Sequence, residues 1–250
     1  MIIGRKTSLL LALSGALIAS TLCVQPVFAA KSKAAVDKRI HDYIMAHPEV
    51  IHKALLKHQS MRVAKQKEAS LGYIKQHAGS VFSTKHDGVI GNQNAPTTVM
   101  IISDYQCGYC RKALSSLNKI VQKNEQVKIQ VKQLPILGND SVAAAKAAIL
   151  AQHKGTFIQA DKILSEMPKP TSREKIIKAF KPLGISETEL QNAWSSDQFN
   201  QIIKENYRLA ENLQLQGTPM IVVSNKSHTK MAFVENFLDE AKLEALIKNH

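Results

Sequence analysis

Cysteine is scarce in this sequence, with three in 250 residues, and Cys23 lies in an N-terminal segment read as a removable leader. Long apolar runs are missing too. The longest near the start, Leu9 to Ile18, falls short of the roughly 20 residues a membrane-spanning helix needs. There is no stripe of arginines with interleaved aromatics, and no helix-turn-helix or RNA-binding signature, which argues against a nucleic-acid partner. No repeat or low-complexity tract stands out. No acidic residue occurs in residues 1–29.

That last absence shapes the N-terminus. Arg5 and Lys6 precede the apolar run, and Val27-Phe28-Ala29 supplies small residues at the −3 and −1 positions of a cleavage site. Together these read as a secretory signal peptide over residues 1–29, cut near Ala29, with a retained anchor as the alternative. Leu22 before Cys23 does not suit a lipoprotein site. Cleavage takes the formal charge from +13 to +11 and leaves Cys107 and Cys110 in an exported, disulfide-permissive compartment. The lysines are spread through the helical segments, the pattern of a solvated face.

Residues 30–80 read as a helical oligomerisation segment and stalk. Ile40, Tyr43 and Ile44 form a short apolar stripe that stops at His47-Pro48, because proline disfavours helix in the residue before it. Pro48 then opens a second helix with Val50, Ile51, Ala54 and Leu55 on one face. From Lys57 to Glu68 the stripe nearly vanishes, so this stretch has no core of its own. The head is too small to fold well alone. Closed association into a dimer or trimer would bury it, and docking onto the rest of its own chain is the alternative.

Residues 81–250 carry a different pattern. Gly88, Gly91, Asn92, Asn94 and Pro96 make a turn-rich passage, followed by the buried strand TTVMIIS. CGYC (Cys107, Gly108, Tyr109, Cys110) comes next and opens a helix. VKIQV at 127–131 is a second strand, completing a βαβ unit whose strands should be parallel. About residues 139–213 are helical, with Ser172 and Ser186 at helix starts, the latter in a capping box with Glu189. Gly217-Thr218-Pro219 breaks the helix, then MIVVS and KMAFVE pair as a hairpin and Leu238 to Ile247 closes the chain. The expected class is α/β: a thioredoxin-like fold with an inserted helical domain, preceded by an N-terminal helical segment.

Two thiols three positions apart can form a structural disulfide, a metal clip or a redox centre. The structural bridge would close a tiny loop and stabilise little. A metal site needs two more ligands, and His41, His47, His52 and His58 miss the spacing of one helix face. At a strand-to-helix junction, Cys107 meets unpaired N–H groups and the positive helix end, which favour thiolate. Cys110 sits one turn inward, placed to resolve a mixed disulfide. This context makes C-x-x-C a redox signal.

DYQCGYC after a buried strand, with GTP before a later one, resembles the DsbA-like branch of periplasmic thiol–disulfide oxidoreductases over about residues 80–250. The preceding helices resemble ScsC-type and Com-type members; DsbC isomerases share the CGYC tetrad. The resemblance implies an exported, periplasmic enzyme that forms or isomerises disulfides in secreted proteins, with Cys107 as nucleophile and Cys110 resolving. It implies a cis Pro219, and substrate held by Thr218, Pro219, Gly108 and Tyr109. It implies neither cofactor nor metal, and as partners unfolded or misbridged exported proteins and a membrane protein that recharges the cysteine pair. A non-enzymatic periplasmic chaperone or a copper-binding protein using the same thiols is the alternative function. Two departures stand out. Tyr109 replaces the histidine of strongly oxidising members, and Ile101 stands where many carry a buried acid.

Overall fold

The computed structural model describes residues 32–235 and 239–250. The expected leader and its cleavage site lie outside them. Contacts divide the chain between Leu55 and Leu56 into two units.

In the first unit, α1 (Lys33–Ala46) begins where the Ser32 side chain accepts from the Ala35 N–H, an N-cap that satisfies one orphan donor. It ends before Pro48, the first residue of α2 (Pro48–Gln76). Lys33–Asp37 and Lys38–Asp42 pair one turn apart on its exposed surface, the spacing at which opposite charges support a helix. No residue of α1 is buried. Ile40, Tyr43, Val50, Ile51 and Leu55 are all exposed, so within this unit α1 and the start of α2 do not cover the apolar stripe.

The second unit opens with the end of α2 and the one-turn α3 (Ala78–Val81) and is built on a five-stranded sheet. Its strands are β1 (Gly88–Gly91), β2 (Thr97–Ser103), β3 (Val127–Gln133), β4 (Met220–Asn225) and β5 (Met231–Glu235), in the order β1-β3-β2-β4-β5. Only β2 and β3 run parallel; α4 (Gly108–Lys123) makes the crossover such a pair requires. β1 pairs antiparallel with β3, β4 with β2, and β5 with β4. β2 is covered on both faces, which explains why Val99, Met100, Ile101 and Ile102 follow one another without polar alternation. Val99 and Ile101 join one apolar cluster, Met100 and Ile102 the other, as a period of two demands. Burying each such side chain is worth roughly 1.5–3 kcal/mol, and Ile101→Ala would cost about 2–5 kcal/mol.

The turn-rich passage at Gly88 contains a strand that sequence reading passed over. β1 is short and flanked by glycines, and its register lies with β3, some forty residues on. Glycine is required at 88 because a Cβ there would stand 1.9 Å from the Phe157 ring. Gly91 closes the strand at φ +93°, a conformation that suits glycine.

Between β3 and β4 the helices are α5 (Asn139–His153), α6 (Phe157–Glu166), α7 (Arg173–Phe180), α8 (Glu187–Ser195) and α9 (Asp197–Asn212). Ser186 and Glu189 form the capping box at the start of α8. α10 (Glu240–Lys248) follows β5, with Asp239 as its N-cap. α4, α5, α6 and α10 cover one face of the sheet through Leu114, Leu117, Ala144, Ala148, Leu164 and Leu243. The last turns of α2 cover the other: Ile74 is fully buried beside Met100 and Met220, and the Ser70 hydroxyl donates to the Leu213 carbonyl at 2.9 Å. The chain is therefore a thioredoxin-like α/β fold with helices inserted before the final hairpin, preceded by a helical segment. No helix among the described residues is long and apolar enough to cross a membrane.

Candidate active site

Cys107 is the N-cap of α4. β2 delivers the chain to this point, and Asp104 fixes the turn between them. Its buried carboxylate accepts from the backbone N–H groups of Gln106 at 2.8 Å, Ile136 at 2.9 Å and Leu137 at 3.1 Å. Asp104 thus ties the CGYC approach to the segment after β3 and does not face the thiols as a base. Cys107 is half-buried and Cys110 fully buried, both as free thiols. Apolar residues at 110, 113, 114, 117 and 120 form the buried face of α4, which places Cys110 inward by helical periodicity.

The loop before β4 completes the constellation. The Thr218–Pro219 peptide is cis, and the Cys107 thiol donates to the Thr218 carbonyl oxygen at 3.4 Å. Hydrogen bonding from the Cys110 thiol is the largest influence on Cys107 and lowers its pKa to about 5; the Thr218 hydroxyl and the N–H groups of Cys110 and Tyr109 act in the same direction, against partial burial. The same sulfur–sulfur interaction, together with burial, pushes the Cys110 thiol far up. One thiol is poised as thiolate at neutral pH and the other holds its proton. Tyr109 is 62% exposed beside them.

Two further residues shape the site, and neither stood out in the sequence. Arg111, one residue past Cys110, donates from Nε to the Tyr105 carbonyl at 2.5 Å, from one terminal nitrogen to the Met167 carbonyl at 2.5 Å, and from the other to Thr171 Oγ1 at 2.9 Å. It locks the start of α4 onto the segment between α6 and α7, which contains a second cis bond, Lys169–Pro170. Asp161 of α6 is fully buried and accepts from the Tyr105 hydroxyl at 2.8 Å; the Gln133 amide in turn reaches that hydroxyl at 3.4 Å. Burial raises the Asp161 pKa to about 6, and the Tyr105 and Asn118 side chains offset part of the effect. Burial and the adjacent carboxylate push the Tyr105 phenol well up. Ile101 is a buried member of the core. A raised carboxyl therefore lies beneath the cysteine loop, contributed by α6 and not by β2. An acid inside an amphipathic helix gives no sequence signal for burial, since its partner stands 56 positions away.

A metal reading needs more ligands than the thiols supply. Among the described residues no three His, Cys, Asp or Glu side chains are grouped to hold an ion. The histidines at 41, 47, 52 and 58 are exposed along α1 and α2.

Comparison with known proteins places this geometry in context. Residues 98–242 match the model of the DSBA-like thioredoxin domain, and residues 33–68 that of the N-terminal domain of the copper resistance protein ScsC. No curated protein matches the chain. A thioredoxin-like oxidoreductase from Silicibacter pomeroyi DSS-3 is 26% identical, covers 66% of this chain and 92% of its own, and superposes with a TM-score of 0.60. Proteus mirabilis ScsC in a transitional conformation is 21% identical over 86% of this chain and 95% of its own, with a TM-score of 0.62. Salmonella enterica Typhimurium BcfH is 18% identical over 86% and 94%, with a TM-score of 0.71; these last two show likeness of fold. Because the first family model spans more than half of its length, the chain belongs to the DSBA-like thioredoxin domain family and is by that membership a thiol–disulfide oxidoreductase.

Proposed function

We propose that the mature chain is an exported enzyme that forms and isomerises disulfides in secreted proteins through the Cys-Gly-Tyr-Cys centre. The carrying observation is the division of labour between the thiols: an acidic, accessible Cys107 at 3.4 Å from the Thr218 carbonyl, and a buried Cys110 whose proton is held. The Cys107 thiolate attacks a substrate disulfide; a bond forms between the sulfurs, the substrate S–S bond breaks, and one substrate thiolate leaves. Cys110 then attacks the Cys107 sulfur. The mixed bond breaks, the second substrate sulfur departs, and the Cys110 proton goes with the leaving thiolate. Two electrons have passed to the substrate, and the reverse sequence oxidises a dithiol. Thr218 and Pro219, with Gly108 and Tyr109, hold the substrate backbone beside the thiols. The pair carries its own electrons, so no cofactor enters.

The setting follows the same reading. A cleaved leader would deliver the protein to the periplasm, where a membrane redox partner recharges the cysteines and unfolded or misbridged proteins are the substrates. A periplasmic thioredoxin-like protein from Salmonella enterica serovar Typhimurium, 25% identical, supports that compartment. The match to the ScsC N-terminal domain and the uncovered stripe of α1 and α2 support a homo-oligomer, dimer or trimer, that gathers several Cys107 sites around one misfolded chain. Refolding of scrambled ribonuclease by wild type and Cys107→Ser tests the chemistry: activity should vanish in the variant. Persistence of activity would reject the assignment.

A second reading is favoured by one observation, the copper-resistance description of the N-terminal match. It makes the chain a copper-binding protein or chaperone using the same thiols. Copper recovered with the purified wild type, and aggregation suppression retained in Cys107→Ser without exchange, would support it.

A further inference from the structure

The segment between α6 and α7 brings a cation to the motif itself. Apart from its own helix and chain neighbours, the atom nearest to where a Cβ on Gly108 would stand is Lys169 Nζ, 3.8 Å from that point. The ammonium therefore rests at ordinary contact distance from the motif's first helical residue. The backbone that carries Lys169 is held at several points. Arg111 donates to the Met167 carbonyl and to Thr171 Oγ1, and Lys175 Nζ donates to the carbonyls of Pro168 at 3.1 Å and Pro170 at 2.9 Å. On the same motif, Lys112 Nζ stands 6.0 Å from the centroid of the exposed Tyr109 ring. Two cations thus flank Gly108 and Tyr109. Of the carboxyls nearby, Asp104 is buried and accepts three backbone N–H groups, Asp161 is buried against the Tyr105 hydroxyl, and Glu166 lines the same depression as Lys112 on the side of α4 and α6.

We propose that Lys169 and Lys112 form a cationic rim that selects cysteine-bearing polypeptide segments with aspartate or glutamate next to the reacting cysteine. The inference rests on the exchange reading above and names its substrate class. A thiolate attack requires the substrate sulfur at Cys107, so residues next to that sulfur pass over Gly108 and Tyr109, within reach of both ammonium groups. An acidic neighbour gains an ion pair there, while a basic one meets like charge. The rim acts on binding and orientation and takes no part in bond making.

The test uses two short synthetic disulfide peptides, identical except for glutamate or lysine on either side of one cysteine. Their kcat/KM values are measured with the full mature protein and normalised to uncatalysed exchange with dithiothreitol. Wild type should favour the glutamate peptide by about fivefold at low salt, the scale of one exposed ion pair. The preference should reside in KM and shrink toward one at roughly 0.5 M salt, where screening is short-ranged. Lys169→Glu should abolish or invert it. Lys226→Glu changes net charge equally but lies beyond Asn225, which pairs with Thr97 at the far end of β2, and should keep it. Equal normalised rates for both peptides with wild type would overturn the rim while leaving the exchange reading intact. So would a ratio unmoved by Lys169→Glu, or one shifted as much by Lys226→Glu. Failure of wild type to exchange with either peptide would overturn both.

Discussion

The thiol of Cys107 lies 3.4 Å from the carbonyl oxygen of Thr218, a residue 111 positions further along the chain. The contact exists because β2 and β4 pair directly and antiparallel, Ile102 opposite Met220, so that the end of β2 and the start of β4 lie side by side at one end of the sheet's strands. The start of α4 and the loop before β4 are thereby fixed against each other by the core and not by the loop alone. The chemistry of the site follows from this junction.

Cys110 is the main cause of the acidity of Cys107. Cys110→Ala removes the donor, so the thiolate of Cys107, followed by absorbance at 240 nm, should appear with its midpoint about 1–2 pH units higher than in the reduced wild type. Cys110→Ser keeps a hydroxyl donor and should fall between the two. Equal midpoints in all three proteins would assign the acidity to the helix start alone.

Asp161 links stability to pH. Its carboxyl titrates near 6 in the fold, above the ordinary value of 3.8. The folded protein holds this proton more tightly, so the stability it confers is complete below about pH 4 and is lost as pH rises through about 6. Asp161→Asn does not titrate and keeps an acceptor for the Tyr105 hydroxyl. The stability of the variant relative to wild type should rise across that window by up to roughly 3 kcal/mol and then level off above pH 7. Urea midpoints at pH 4, 5, 6 and 7.5 check this, and a pH-independent difference would contradict it.

Arg111 satisfies three acceptors with one planar fork. Lysine keeps the charge but cannot span all three. Arg111→Lys should therefore lower stability by about 1–3 kcal/mol, read from chemical denaturation. A loss within experimental error would show that the fork is dispensable.

The exposed stripe of the first unit predicts assembly. Replacing Ile40 and Ile51 with aspartate puts charge on a surface that association would bury, at a cost of several kcal/mol per subunit. Light scattering at micromolar concentration should show wild type as a dimer or trimer and the double variant as a monomer. A monomeric wild type would remove the basis for a multi-site isomerase.

Much of the fold was legible because its signals are local. The β-branched run at 97–103, the proline at 48, the capping box at 186 and the cysteine pair at a strand-to-helix junction each declare themselves within a few residues. β1 did not, since four residues bounded by glycines read as turn and only pairing with β3 makes them a strand. The last turns of α2 continue a segment whose polar stretch suggests a stalk, yet Ile74 is core. At the site, Cys107, Cys110 and Thr218 could be proposed from motif alone. Asp161, Arg111 and Lys169 could not, because a polar residue on a helix or loop acquires its role only from the distant element it meets.

The account turns on Cys107 being the attacking sulfur. Reduced Cys110→Ala and Cys107→Ala variants, incubated at pH 6 with a disulfide-bonded peptide and quenched with acid, can be resolved by mass spectrometry. Cys110→Ala should accumulate a mixed disulfide at Cys107, because its resolving partner is gone, while Cys107→Ala accumulates essentially none. Adduct forming on Cys110 as fast as on Cys107, or no adduct in either protein, would contradict the assignment.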